Sequence, residues 1–174
     1  MEIAEAQREM RVHYAGASYG QLVSGLLWLA SAALGTWGTP RAAIATLVAG
    51  GFFIYPATLL LLRLAGPRRP LSAGNSLPEL GMQVAFGLPI TMLLLYPVAV
   101  LRLAWFYPAF MILLGAHYLP FVFLYGMRMF WALAGLLAAG GVTLALYARQ
   151  VPFAAGAWAT GVLLVCFGVA DGCR

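Results

Sequence analysis

The feature that most constrains the fold of this chain is a succession of six apolar runs, each close to the length of a membrane-crossing helix. About 20 apolar residues are needed to cross ~30 Å of hydrocarbon. Backbone groups in lipid must pair within their own segment, which favours helices, and no run alternates polar and apolar residues as a barrel strand does. The predicted spans are residues 16–34, 42–64, 80–101, 103–125, 129–148 and 152–170.

The composition favours the same class of protein. Of the 174 residues, 63% are hydrophobic and 9% are charged, whereas a soluble domain carries about 25% charged residues. We therefore predict an all-α polytopic integral membrane bundle that forms a single membrane domain over residues 1–174. Residues 1–14 are polar and are predicted to form an interfacial helix. Arg102 alone separates the third and fourth runs, so a re-entrant break remains open there.

The distribution of arginines predicts the orientation in the membrane. Loops on the cytoplasmic side carry an excess of arginine and lysine. The six-span topology places seven arginines on the side of the N-terminus and three on the other. Both termini of this multi-pass protein are therefore predicted to be on the cytoplasmic side of the inner (plasma) membrane. The seven are Arg8, Arg11, Arg63, Arg68, Arg69, Arg128 and Arg174, and the three are Arg41, Arg102 and Arg149.

The net charge of +5 does not indicate nucleic-acid binding, because all ten basic residues are arginines that lie mostly singly at the ends of apolar runs. The predicted partner is the lipid bilayer. The densest patch, Arg63 with Arg68 and Arg69, fits the positive-inside rule, with an anionic lipid headgroup site as the alternative.

Several kinds of chemistry are disfavoured by what the chain contains. Cys166 and Cys173 are about 10 Å apart along a helix, too far for a disulfide. The sequence contains no cysteine–histidine cluster that would indicate a metal site. No pair of carboxylates and no hydrolase motif lies in the spans. Haem between His13 and His117 is disfavoured because the two lie at different depths. No cofactor and no metal are predicted.

Four prolines inside the predicted spans indicate helix kinks. Proline removes one intrahelical hydrogen bond and frees the carbonyl four residues earlier. In lipid that carbonyl needs another partner or a water-lined cavity. The four are Pro56, Pro89, Pro97 and Pro120.

His117 is the only ionisable side chain predicted to lie deep in a span, beside the Ala116 carbonyl that Pro120 frees. Its depth is about 12 Å from the cytoplasmic ends of the helices. One polar side chain from each of four other spans lies at a similar depth. The hypothesis is an internal polar ligand site; the alternative is a neutral histidine that ties two helices together. The four other side chains are Ser24, Tyr55, Thr91 and Thr160.

Two further patterns concern helix packing and helix ends. The pairs Gly16 with Gly20 and Ala157 with Gly161 have the four-residue spacing that lets helices approach closely. The sequence from Ser76 to Glu79 fits a capping box that opens the third span, with Pro78 in its first turn.

The stretch LLGAHYLPFVFLYGMR, residues 113–128, resembles a family of small bacterial multi-pass membrane proteins that is known only as a domain of unknown function. The resemblance lies in a small-Ala-His-x-Leu-Pro-aromatic motif, here Gly115 to Phe121. NSLPELG, residues 75–81, is similar to the Asn-Pro-Leu approach to the preceding helix, although Ser76 departs from it. The resemblance implies an integral membrane protein and no established activity.

Three classes of function follow from these observations. The leading one is a transporter-like or small-ligand-binding protein whose site surrounds His117. The second is a membrane-embedded enzyme that acts on a lipid or quinone-like substrate, with His117 as the acid/base; the sequence leaves open whether the chain is an enzyme. The third is a structural or assembly partner of another membrane protein, and a homo-oligomer is compatible with each.

Overall fold

The computed structural model describes residues 1–65 and 70–172, and within them all regular structure is helical. Arg68, Arg69, Cys173 and Arg174 lie outside the described residues. Two short 3₁₀ turns, Ala15–Ala17 and Leu103–Trp105, join longer elements. The helices are α1 (Ile3–Tyr14), α2 (Ser18–Trp37), α3 (Pro40–Leu64), α4 (Leu77–Met92), α5 (Leu95–Leu101), α6 (Phe106–Tyr125), α7 (Met129–Leu146) and α8 (Ala155–Gly172).

Five helical stretches are long and apolar enough to cross a membrane. They correspond to predicted spans two to six, and their ends differ from the predicted ends by a few residues. The helix of the first predicted span, α2, is 20 residues long but is not among the five. Three serines and Gln21 lower its mean hydropathy, and all four of these side chains are buried. The five are Pro40–Leu64, Leu77–Leu101, Leu103–Tyr125, Met129–Leu146 and Ala155–Gly172.

Three of the four prolines at which kinks are predicted lie inside continuous α-helices, namely Pro56, Pro89 and Pro120. The fourth, Pro97, lies on α5, just after the interruption at 93–94 that separates α4 from α5. Pro97 has no amide to donate to the Leu93 carbonyl, which accepts a bond from the Tyr96 amide three residues on, at 3.3 Å.

The chain divides into two compact units. The first contains Met1–Met10 and Leu71–Val151, and its centre is the α6–α7 hairpin, with α4 and α5 against α6. Two glycines allow the two helices of this hairpin to pack closely against each other. A Cβ on Gly115 would lie 2.8 Å from the Ala134 carbonyl oxygen, and one on Gly141 would lie 2.7 Å from that of Pro108.

The N-terminal helix is held to the first unit by polar contacts. Gln7 donates to the Phe123 carbonyl at 2.7 Å, one of the carbonyls that the end of α6 leaves unpaired. Glu9 accepts hydrogen bonds from the Ser72 amide at 3.2 Å, from the Ser72 hydroxyl, and from Asn75 at 3.0 Å. These bonds lower the pKa of the Glu9 carboxyl below its ordinary value of 4.5.

The predicted capping box at α4 is corrected by these contacts. Ser76 makes no side-chain cap hydrogen bond, and its backbone is already helical. The side chain of Asn75 accepts from the Leu77 amide at 3.0 Å instead, while its amino group binds the Ala6 carbonyl at 3.2 Å. Asn75 therefore both opens α4 and fastens α1, and Pro78 lies in the first turn as predicted.

In the second unit, α2 packs against α3 along one side and α8 along another. Ser31 donates to the Ala43 carbonyl of α3 at 2.9 Å. Towards α8, a Cβ on Gly25 would lie 3.1 Å from the Gly161 carbonyl oxygen. Gly161 thus belongs to a close helix contact. Gly16 does not, because its φ of 61° places it in the turn before α2 rather than on a helix with Gly20.

Candidate functional site

The five residues of the predicted polar layer lie in two different units. His117 and Thr91 belong to the first unit, and Ser24, Tyr55 and Thr160 belong to the second. The five-residue layer as a whole stays a prediction.

His117 is half-buried on α6 and hydrogen-bonds the backbone of Val84 on α4. Its ring centroid lies 5.2 Å from that of Phe121 and 5.7 Å from that of Tyr118. Those two rings continue into an aromatic cluster in which Tyr118 stacks on Phe130 of α7 at 6.0 Å. His117 is thus a polar contact between α6 and α4 at the edge of aromatic packing.

Thr91, the other predicted site residue of the first unit, is exposed on α4. Its hydroxyl donates to the Leu88 carbonyl of the same helix at 2.9 Å. Such a bond satisfies the hydroxyl without a partner from another helix.

In the second unit, two of the three predicted residues lie in the same interface. Ser24 on α2 is 6% exposed and Thr160 on α8 is fully buried. They flank the close contact between Gly25 and Gly161. Tyr55 on α3 is 49% exposed. It lies near Tyr14, whose phenol pKa is raised by burial and, to a smaller extent, by Tyr55.

Ser24 and Thr160 are part of a longer polar stripe, which we call the α2–α8 seam. On α2 its buried polar residues recur every three positions, and on α8 they lie eleven residues apart on one face. A Cβ on Gly168 of α8 would lie 3.2 Å from the Cβ of Gln21 and 3.1 Å from the Ser18 carbonyl oxygen. The two stripes therefore face each other. The seam consists of Ser18, Gln21 and Ser24 of α2 and Thr160 and Asp171 of α8.

Gln21 is the most unusual residue of the seam. Its side chain is 1% exposed. Within the described part of the chain, neither its amide nitrogen nor its carbonyl oxygen has a hydrogen-bond partner, and the same is true of the Thr160 hydroxyl. An unpaired buried polar group in a folded protein costs about 1–3 kcal/mol. The Gln21 amide can both donate to and accept from a polar molecule, and Asp171, 6% exposed, adds a carboxylate to the same interface.

The surroundings of the seam are apolar. Leu164 of α8 is fully buried between the levels of Thr160 and Asp171, and Trp28 of α2 is 2% exposed. At the far end, Trp158 donates its indole N–H to the Thr36 hydroxyl at 3.0 Å. Among the described residues, no group of three His, Cys, Asp or Glu side chains could hold a metal ion. The donors and acceptors of the seam suit a small polar solute.

Gln21 and Ser18 were not among the predicted site residues, although the sequence carries a signal for them. Ser18, Gln21 and Ser24 follow one another at three-residue spacing at the start of an otherwise apolar run. Residues three or four apart share one face of a helix. Ser24 was predicted from its depth in the membrane alone, whereas the three-residue periodicity also indicates Ser18 and Gln21.

Comparison with known proteins identifies a family. The model of the Family of unknown function (DUF7010) matches residues 3–170 of the chain. No curated protein and no solved structure matches it.

Proposed function

Since the chain belongs to the Family of unknown function DUF7010, its role has to be inferred from its own residues, and we propose that it binds a small polar solute in the α2–α8 seam of a membrane bundle. The bundle has six spans, with α2 as the first, and both termini lie on the cytoplasmic side of a bacterial inner membrane. A transporter or a solute receptor uses such an internal polar site.

The observation that carries this proposal is the buried, unpartnered Gln21 side chain opposite α8. In lipid, each unsatisfied polar group costs several kcal/mol, since no water competes for it. Polar side chains inside membrane bundles accordingly mark solute and ion pathways. Asp171 and the serines of the seam extend the polar surface towards one end of α2 and α8.

Accessibility to water-soluble thiol reagents tests the proposal. In a background with Cys166→Ala and Cys173→Ala, Gln21→Cys and Thr160→Cys are each treated with a small cationic methanethiosulfonate in reconstituted membranes. We expect both to react, because a solute site must communicate with water. Leu137→Cys, at a fully buried position of the α6–α7 hairpin, is the control and should stay unmodified.

Failure of both seam cysteines to react, with both variants folded, would contradict a solute site. The seam would then be a dry packing surface in which Gln21 serves only helix association. Reaction of Leu137→Cys at the same rate would show general opening of the bundle and would equally remove the support for a specific site.

A second candidate function is favoured by the bond between His117 and Val84. A neutral imidazole that donates from one ring nitrogen keeps the other as an acceptor. With Phe121 and Tyr118 beside it, His117 is arranged to exchange a proton with an apolar substrate such as a lipid or a quinone-like molecule. The test is loss of turnover in His117→Gln, with Thr91→Val as the control.

The third predicted role is that of an assembly partner of another membrane protein. It is favoured by glycines on exposed helices that have empty space beside them. Within an 18-residue apolar stretch of each of the Pro40–Leu64 and Leu77–Leu101 spans, only 6% of the residues are buried. Gly51 and Gly87 on these spans, and Gly135 on α7, have open space where a Cβ would be. Small residues on such faces allow close contact with a second membrane helix, including one from another copy of the chain.

A further inference from the structure

A second polar site lies at the end of the α6–α7 hairpin where α6 begins and α7 ends. A surface pocket of about 240 Å³ is formed there between the turn before α6 and the residues after α7. Its polar lining comes from two arginines, Gln150 and Tyr147, together with the indole of Trp105. The arginines are Arg102 and Arg149.

Arg102 is held in place rather than free in solvent. It is the extended residue between α5 and the 3₁₀ turn, and its amide donates to the Val98 carbonyl at 2.8 Å. Its guanidinium carbon lies 4.6 Å from the centroid of the Trp105 ring. A guanidinium over an aromatic face is attracted by the ring and is pre-organised to bind an anion.

The two arginines are far from the carboxylates of their unit. Glu2, Glu5 and Glu9 precede or lie on α1, which binds the opposite end of α6 through Gln7, and Glu79 opens α4. The 20 residues of α6 separate the two ends by about 30 Å. This is several Debye lengths of about 8 Å at physiological salt, so the acids do not neutralise the pocket.

The helix end within the pocket does not neutralise it either. The C-terminus of α7 contributes roughly half a negative charge, against two full positive charges from Arg102 and Arg149. The net field of the pocket therefore favours an anion. Its volume lies below the roughly 300–1,000 Å³ that is typical of drug-sized ligands, which suits a single compact anionic group.

We propose that Arg102 and Arg149, with Gln150, bind a phosphate group, either the phosphodiester of an anionic lipid headgroup or a free phosphate ion. Guanidinium groups match phosphate oxygens with paired N–H donors. Trp105 is of the residue type that settles at the headgroup level of a membrane. This site lies in the first unit and does not depend on the solute proposed for the α2–α8 seam.

The test uses the full chain in phosphatidylcholine nanodiscs. In one arm phosphatidylglycerol is added to the bilayer, and in the other inorganic phosphate is added to the buffer. The shift in the thermal unfolding midpoint reports binding, because a ligand of the folded state stabilises it. We expect Arg102→Gln and Arg149→Gln to weaken binding by about fivefold each, since one charge near a membrane surface contributes about 1 kcal/mol.

Arg41→Gln is the matched control, because it removes one positive charge from the same predicted membrane side but does not line the pocket. An effect of phosphatidylglycerol alone identifies the lipid, and an effect of phosphate in pure phosphatidylcholine identifies the free ion. Equal binding by wild type and both pocket variants would overturn the proposal, and so would an equal loss in Arg41→Gln. If Arg102→Gln does not fold, the exposed Arg149 still provides the test.

Discussion

At the scale of single residues, His117 is the polar side chain of α6 that bonds the backbone of Val84 on α4. A histidine in an apolar run signals that something polar must face it, because lipid offers no hydrogen bonds. The partner, the backbone of Val84, has no signature of its own in the sequence. The same limit applies to Gln21, whose environment depends on the residues that α8 places opposite it.

The bond between His117 and Val84 should contribute measurably to stability. His117→Phe keeps the aromatic contacts but removes the donor. We expect it to lower the free energy of unfolding by about 0.5–1.5 kcal/mol, the range for one interhelical hydrogen bond. Thermal unfolding in detergent, followed by circular dichroism, measures the loss.

Thr91→Val is the control for that change, because the Thr91 hydroxyl bonds only its own helix. It should remain within about 0.5 kcal/mol of the wild type, as surface substitutions usually do. A His117→Phe variant as stable as Thr91→Val would mean that the histidine does not tie α6 to α4.

The attachment of α1 should depend on pH through Glu9. The folded-state pKa of Glu9 lies below the ordinary value of 4.5. Its hydrogen bonds to Ser72 and Asn75 therefore stabilise the fold fully above pH 4.5 and are lost as the pH falls through the folded-state pKa. Hydrogen exchange at the Ser72 amide, after correction for the intrinsic rate, should accelerate on acidification in the wild type.

The Glu9→Gln variant has no carboxylate at any pH. After correction for the intrinsic rate, its Ser72 amide should therefore exchange faster than that of the wild type already at neutral pH. The corrected rate should also depend less on pH. Glu5→Gln changes an exposed acid of the same helix and should behave as the wild type. Identical exchange in the Glu9→Gln and Glu5→Gln variants would show that the Glu9 carboxylate does not protect the Ser72 amide.

At the scale of helices, most of the fold was accessible from the sequence, since a run of apolar residues fixes both the type and the approximate length of a span. The helix boundaries that depend on specific contacts could not be predicted from the sequence. The sequence suggests a serine cap for α4, but Asn75 caps it because α1 positions the Asn75 side chain. Gly161 was correctly predicted as a packing residue, whereas Gly115 and Gly141 were not, because helix pairing decides which glycines are buried.

The close approach of α6 and α7 predicts opposite effects for two alanine substitutions. In Gly115→Ala the new Cβ would meet backbone atoms of Ala134 and Ala138 at 2.8 and 3.1 Å, and backbone cannot easily move. We expect a loss of about 1–3 kcal/mol of unfolding free energy, the usual range for overpacking. Chemical denaturation in mixed micelles measures it.

Gly135→Ala, on α7, is the matched control. Nothing lies within 4 Å of the new Cβ, and alanine is the better helix former by about 0.8–1.0 kcal/mol. The variant should be as stable as the wild type or more stable. Equal destabilisation by both substitutions would contradict a glycine contact specific to Gly115.

At the scale of the whole molecule, the composition predicts a membrane protein, but the mean hydropathy of α2 does not identify this helix as a span. A helix that turns its polar residues inward has a low mean hydropathy and yet can present an apolar surface, as Leu26 of α2 does at 62% exposure. A polar stripe buried against α8 is consistent with α2 as a sixth span. The orientation is a prediction from the arginine count alone, because the positive-inside rule needs no tertiary structure.

A solute site in the α2–α8 seam lies inside the membrane only if α2 crosses the bilayer. Single cysteines at Glu2, Gly38 and Gly74, in the background without Cys166 and Cys173, are labelled with a membrane-impermeant maleimide in right-side-out and inside-out vesicles. We expect Gly38→Cys to be labelled from the face opposite to Glu2→Cys and Gly74→Cys. Labelling of Gly38→Cys and Glu2→Cys from the same face would show that α2 does not span, and would exclude a seam inside the membrane.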